Sequence, residues 1–469
     1  MSKMFEFLKN SPVDQLGNVG GNIALLFNKI RQGEISGKDE IADLVYSRDV
    51  SEVAVYDLMK KLENQLINAL IVRPKIQSTY QAVYAELNKI NAVASFLYHS
   101  SRKQQAAYLA EKALKKSMLY EVTNITLNLS NICKGYFAIT GNEKKYQYYY
   151  ELSGELLEQF TAEKTAEDLH LQLFFSQSKK KNNTEKDFHL AEEVFTQLSE
   201  LKKIHDCNRI LVIWGICGVV YCQMKNDLEE GIRICKKCLN HLIPQADRIF
   251  SSYIFTFLFH MVPPLIRQGE FIQALNYLYR CEVSIKEHTF NSILVKQYQF
   301  IASMHASDIE KADLVIQRLQ PLKMNTLQYE LFEIHRAYLN LLTNKSMRIA
   351  RFFNQVPTYS KDKEGMNINI LIVQLLYFIR EAKHYDFCDR SPGIQRYLLR
   401  YLKGTGNRRS TYFIQSLLEL ESIGFDRNKI DKIKSIKKLE QYSYQESPQD
   451  FDIEIVPYEK LWHRVIEWL

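Results

Sequence analysis

Pairs of small or apolar residues seven positions apart recur along this chain about every forty residues. The series runs Ala106/Ala113, Gln147/Gly154, Ala191/Leu198, Gly231/Cys238, Ala274/Cys281 and Ala312/Leu319, with first members spaced 41, 44, 40, 43 and 38 residues. Weaker continuations fall near Ala350 and Ile394. Two α-helical turns span about 7.2 residues, so each pair returns to one helix face. Small side chains on that face let a neighbouring helix approach closely. A lone hairpin cannot bury such a face, but stacked neighbours can. The expectation is an all-α chain, an α-solenoid of antiparallel helical hairpins with a small irregular C-terminal region. Its helix content should exceed roughly 65%, against the usual third, with six or more hairpins over 76–405. Only 17 Gly and 10 Pro occur in 469 residues, too few breakers for a many-stranded sandwich.

Individual copies sharpen the picture. "WGICGVVYCQMKNDLEEGIRICKKC" places Trp214, Gly218 and Tyr221 on one helix and Gly231 and Cys238 on the next. "LFHMVPPLIRQGEFIQALNYLYRC" carries Gly269, Phe271, Ala274 and Cys281, and "ICKGYFAITGNEKKYQYYY" carries Tyr136 and Gly141 in a similar frame. This arrangement resembles the tetratricopeptide repeat over residues 76–405. That family's period is about 34 residues, whereas this one is nearer 41, which implies longer helices or turns. The resemblance implies stacked helical hairpins and an extended surface for polypeptide ligands. Pro263 and Pro264 fall inside the first helix of a repeat and should break it near His260.

Less regular regions flank the array. Residues 1–75 read as an N-terminal helical cap. Their best amphipathic helix, 51–71, aligns Val55, Leu58, Met59, Leu62, Leu66 and Leu70, with Ser51 as its cap and Pro74 closing it. Residues 406–469 read as a C-terminal region, basic and then acidic, with a hinge over 403–410. It holds the one strong strand signal, the alternation of Phe451, Ile453 and Ile455. A terminal amphipathic helix follows, with Leu461, Trp462, Val465, Ile466 and Leu469 apolar. This region either covers the last hairpin or offers Trp462 and Trp468 to a partner.

Candidate chemistry is sparse. Cys217, Cys222, Cys235 and Cys238 have a spacing that can hold zinc, but they also fall where the repeat wants compact apolar side chains, and packing is the expected role. Tyr146, Tyr149 and Tyr150 share a helix face that could stack bases or hold a peptide; helix-hairpin core with hydroxyls at the rim is the expected role. No nucleotide-binding loop, nucleophile elbow or zinc-protease motif occurs, and no two His stand three or four residues apart. Hence no enzyme, no catalytic or metal residues and no cofactor are expected. Charge is the more informative signal. Residues 390–438 carry twelve bases and four acids, a net +8 against +7 for the whole chain.

Residues 1–15 lack a signal-peptide pattern, no uncharged run suits a bilayer, and the eight scattered Cys suit free thiols in a reducing cytoplasm. The expected function is a non-enzymatic cytoplasmic scaffold or adaptor binding a protein or peptide. The candidate partner-binding residues are Arg396, Arg400, Lys403, Arg408, Arg409, Trp462 and Trp468. The alternatives are a nucleic-acid-associated protein using residues 390–438 and a structural subunit of a larger assembly.

Overall fold

A computed structural model describes residues 2–9, 21–35, 40–41, 52–72, 78–179, 185–285, 289–346, 365–402, 407–442, 444 and 454–469. Helices make up 85% of these residues, and no strand occurs among them. Ser51, Pro74, Ala350, Lys403, Phe451 and Ile453 lie outside the described residues. Ile455 is described; it is buried and lies in a bend.

The chain forms two compact units. One comprises Met1–Asp168, Leu201–Ile210 and Gln245–Phe250; the other comprises Leu169–Glu200, Leu211–Pro244 and Ser251–Leu469. The first unit begins with α1 (Ser2–Lys9), α2 (Gly21–Gln32) and α3 (Glu52–Val72). The expected stripe on α3 is its buried face: Val55, Leu58, Met59, Leu62 and Leu66 meet Leu8, Leu26, Phe27 and Ile30. Next come α4 (Thr79–His99), α5 (Lys103–Leu119), α6 (Thr123–Ile139) and α7 (Glu143–Lys179), the last belonging to this unit as far as Asp168. Ala106, Ala110 and Ala113 lie buried between α4 and α6, because their short side chains admit both neighbours.

One pair of the repeat frame is displaced by two residues. Gln147 and Gly154 are exposed, and Gln147 donates to Glu151 on the surface at 2.7 Å. The buried pair on α7 is instead Tyr149 and Leu156. Tyr149 stacks on Phe137 with ring centroids 5.7 Å apart, and its hydroxyl donates to Glu111 at 3.1 Å. The seven-residue spacing survives there, but a large aromatic fills the position, so a search for small residues misplaces it. Tyr148 and Tyr150 remain exposed.

The second unit is built on α8 (Glu185–Ile204), α9 (Asn208–Lys225), α10 (Leu228–Leu242), α11 (Ser251–His260), α12 (Val262–Arg267) and α13 (Phe271–Val283). It continues through α14 (Phe290–His305), α15 (Ile309–Leu319), α16 (Thr326–Leu342), α17 (Met366–Arg380) and α18 (His384–Tyr397), and ends with α19 (Arg408–Ser422), α20 (Lys434–Gln441) and α21 (Tyr458–Trp468). Ala191, Leu198, Gly231, Cys238, Ala274, Cys281, Ala312 and Leu319 are all buried. The proline pair divides one helix as expected: α11 ends at His260 and α12 starts with prolines in its first turn. Ala274 is fully buried on α13, which packs on α12 and α14. Ala274→Leu is therefore expected to overpack this contact and destabilise the unit by about 1–3 kcal/mol. Thermal melting of the variant checks this.

A single turn geometry punctuates the second unit. At Asn226, Gly269, Ser307, Asn344, Ala382 and Gly424 the backbone enters the left-handed region, with φ between 51° and 81°. The next residue then donates its N–H to the carbonyl five positions back. Asp227 bonds Cys222 at 2.9 Å, Glu270 bonds Leu265 at 2.8 Å, Asp308 bonds Ser303 at 2.9 Å and Lys383 bonds Phe378 at 2.9 Å. This closure satisfies a helix-end carbonyl and reverses the chain. Its left-handed residues are spaced 43, 38, 37, 38 and 42 residues, which is the sequence period written in backbone. Side chains other than Gly are strained at such φ values by about 1–2 kcal/mol. Ala382→Gly should stabilise the unit and Gly269→Ala should destabilise it, each by about 0.5–1 kcal/mol once unfolded-chain entropy is counted. Denaturant midpoints of the two variants should move in opposite directions.

The glycines of α9 serve close packing. A Cβ on Gly215 would lie 2.6 Å from Cys238 Sγ and 2.7 Å from Phe257, and one on Gly218 would lie 2.5 Å from Phe195. The Cys217, Cys222, Cys235 and Cys238 set is buried in this packing. No three His, Cys, Asp or Glu side chains converge to hold a metal among the described residues. Burial pushes the thiols of Cys217 and Cys281 up to about 12 and that of Cys222 to about 11. Of the eight cysteines only Cys388 is partly exposed. A thiol reagent at mild alkaline pH should label Cys388 first, with the other seven following only as the fold opens. Peptide mapping by mass spectrometry reads the order.

Candidate functional site

The C-terminal region folds onto its own unit. Leu461, Trp462 and Val465 of α21 are buried in the core that α14, α16, α17 and α19 share. Lys460 donates to the carbonyls of Met304 and His305 at 3.0 and 2.8 Å, the last carbonyls of α14. Arg464, one turn on, donates to the Leu342 carbonyl at the end of α16. Cations belong at helix C-termini, where the unpaired carbonyls point. Trp462 is thus a core residue, and Trp468 is half-buried against the same core.

Arg409 is also internal. It is 2% exposed. Its Nε and Nη2 donate to the two carboxylate oxygens of Glu454, both at 2.8 Å, and Nη2 also reaches Glu459 at 2.7 Å. Nη1 donates to the Tyr442 carbonyl. Ser410 and the Tyr458 hydroxyl share a hydrogen bond of 2.8 Å beside it. Arg409 therefore ties residues 454–459 to the start of α19, and its guanidinium is enclosed.

The other described bases of the set stay outside. Arg396, Arg400 and Arg408 are exposed. Arg408 lies over the Tyr442 ring and Arg400 over that of Tyr401, at 5.5 and 5.4 Å. Gln395 and Leu399, the residues before Arg396 and Arg400, line a cleft of about 680 Å³. Its elements are α18, the π-turn Leu398–Leu402 that follows it, α19 and α20. Leu398 and Leu418 are buried in its wall, while Leu399 projects at 66% exposure. Gln395, Thr411 and Gln415 supply polar lining.

Among the described residues Glu419 is the one carboxylate lining the cleft, and it is occupied. It accepts the backbone N–H groups of Lys434 and Ser435 at 2.8 and 3.2 Å, and the Ser435 hydroxyl at 2.5 Å. Glu419 is thereby an N-terminal cap for α20, supplied by another helix. Lys438 also lines the cleft, and Lys434 and Lys437 are exposed on the same helix. Among the described residues, Arg396, Arg400, Lys434, Lys437 and Lys438 make no ion pair with a carboxylate. The structure thus leaves Arg396 and Arg400 exposed and places Lys438 with Leu399 on one cleft. It sends Arg409 and Trp462 inward, and Lys403 lies outside the described residues. Sequence reasoning missed Leu399 and Lys438 as members of one site. Each reads as an ordinary helix residue until the π-turn and α20 meet.

No protein-family model matches this chain, and no curated protein matches it.

Proposed function

We propose that the chain is a non-catalytic scaffold that binds a protein or peptide on a tetratricopeptide-like array of helical hairpins, in the cytoplasm. One observation supports this above the others. The same left-handed turn recurs six times among the described residues of the second unit, at intervals of 37–43 residues, each at the end of a helix. Repeated hairpins build surface rather than a closed cavity, and such surface suits polypeptide ligands. Eight cysteines without a disulfide fit a reducing compartment. No described helix is long and apolar enough to cross a membrane.

The test is affinity capture on the full chain, followed by calorimetry with the purified captured protein. Saturable one-site binding is expected. Retention of no protein from host extract would remove the scaffold reading. The exposed bases Arg396, Arg400, Lys437 and Lys438 of 390–438 favour one second reading, nucleic-acid association. Its sign is affinity that falls steeply with added salt, because phosphate contacts release counterions.

A further inference from the structure

We infer that α21 is a ligand held in cis: it fills a seat on α14, α16, α17 and α19 that fits an amphipathic helix of a partner protein, which must displace it to bind. This rests on the scaffold reading, since it takes the partner to be polypeptide. The hairpins below α21 pack in chain order, α14 on α15, α15 on α16, α16 on α17 and α17 on α18. Stacked hairpins depend on their neighbours alone. The last helix breaks that order, for Lys460 reaches back 156 residues to the Met304 carbonyl. It lies over completed hairpins instead of forming one. A chain end laid on a body in this way opens at lower free energy than the body itself.

The contacts of α21 have the make-up of an interface, with polar links alternating with apolar anchors. The Tyr458 ring stacks on Phe413 with centroids 4.5 Å apart, while its hydroxyl meets Ser410 at 2.8 Å. Lys460 bonds the carbonyls that end α14, and Arg464 bonds the one that ends α16. Leu461, Trp462 and Val465 are buried beside these two bases. A central tryptophan is the sort of side chain that anchors a bound helix. The occupant therefore defines the guest. It is a helix with two bases one turn apart, an apolar pair after the first base and an apolar residue after the second. The bases answer the negative ends of α14 and α16, and the apolar residues answer the core. A helix with carboxylates at the two basic positions would set them against carbonyl oxygens and be refused.

A fluorescent peptide of residues 454–469, titrated with the full chain, tests the assignment. In the parent, α21 holds the seat and the peptide should bind weakly, because few seats stand open. Lys460→Glu combined with Arg464→Glu in the chain should loosen α21 and leaves every residue of the seat in place. This variant should keep the helical circular dichroism of the parent and bind the peptide at least roughly tenfold more tightly, since a larger fraction of its seats is open. A peptide carrying the same two substitutions should not bind. If the double variant fails to fold, Arg464→Gln alone gives the same comparison with a smaller gain. Hydrogen exchange on the parent, read by mass spectrometry, is the independent measurement. Amides of α21 should exchange before those of α14, α16 and α17. Exchange of α21 only together with α16 and α17 makes it a fixed part of the core and overturns the proposal. So does a folded variant that ignores the peptide. Either result leaves the scaffold reading to its own test, the affinity capture.

Discussion

Glu454→Gln is expected to destabilise the second unit by about 3–5 kcal/mol, the range for stripping one partner from a buried ion pair. Glu454 is 1% exposed and Arg409 is 2% exposed. Burial pushes the Glu454 carboxyl up, and the Arg409 fork pulls against it. The guanidinium cannot shed its proton to escape an apolar site. With glutamine opposite, Arg409 keeps Glu459 and the Tyr442 carbonyl as acceptors but loses its two-pronged carboxylate partner. The loss should reach further than one pair. The Glu454 carbonyl also bonds His305 Nε2 at 2.7 Å, and its carboxylate accepts the Tyr458 N–H at 3.1 Å at the entry to α21. Arg409→Met combined with Glu454→Gln should recover most of the stability, because no buried charge is then left over. Denaturant unfolding followed by far-UV circular dichroism gives the cycle. A single variant within about 1 kcal/mol of the parent would remove the pair from the list of structural determinants.

The second large effect is a loss of stability in acid caused by His335. This residue lies on α16, 2% exposed, with its ring stacked on Phe300 at 4.7 Å. Its Nδ1 has no hydrogen-bond partner among the described residues. Burial holds its imidazole down to about 3, far below the ordinary 6.5. The native ring is thus neutral while the unfolded chain binds a proton below pH 6.5. Stability contributed by the neutral form is complete above pH 6.5 and declines as pH falls toward 3. At pH 5 the deficit is about 2 kcal/mol, from about 1.4 kcal/mol for each pH unit below 6.5. His335→Phe keeps a flat ring on Phe300 and abolishes the proton site. Between pH 7 and pH 5 the variant should therefore lose about 2 kcal/mol less than the parent. Comparing the two chains cancels the titration of His305, which burial holds down to about 4, and of every other shared group. Equal acid sensitivity in parent and variant would mean that His335 is protonated in the fold.

Much of the architecture was legible before any coordinate. The seven-residue pairs predicted helix faces at Ala106, Ala274 and Ala312, and each is buried. The α3 stripe and the break at Pro263 were equally visible. These are local properties: periodicity and proline stereochemistry act within a few residues of chain. The recurring turn was not legible, because only Gly269 and Gly424 among its six left-handed residues in the second unit are glycine. Ser307 and Ala382 take that conformation because packed helices on both sides force the reversal.

The site divides in the same way. Sequence alone established that residues 390–438 concentrate positive charge, since a count of side chains needs no fold. It could not separate Arg408 from Arg409. The two are adjacent on α19 and point about 100° apart, so one meets water and the other meets Glu454, 45 residues further on. Trp462 likewise reads as an interface anchor in a linear chain and becomes core once α21 lies against α17 and α19. Helix faces follow from short-range spacing and so are written in the sequence. Which charge is buried, and where Leu399 and Lys438 meet, depends on contacts between distant segments, and only tertiary structure decides it.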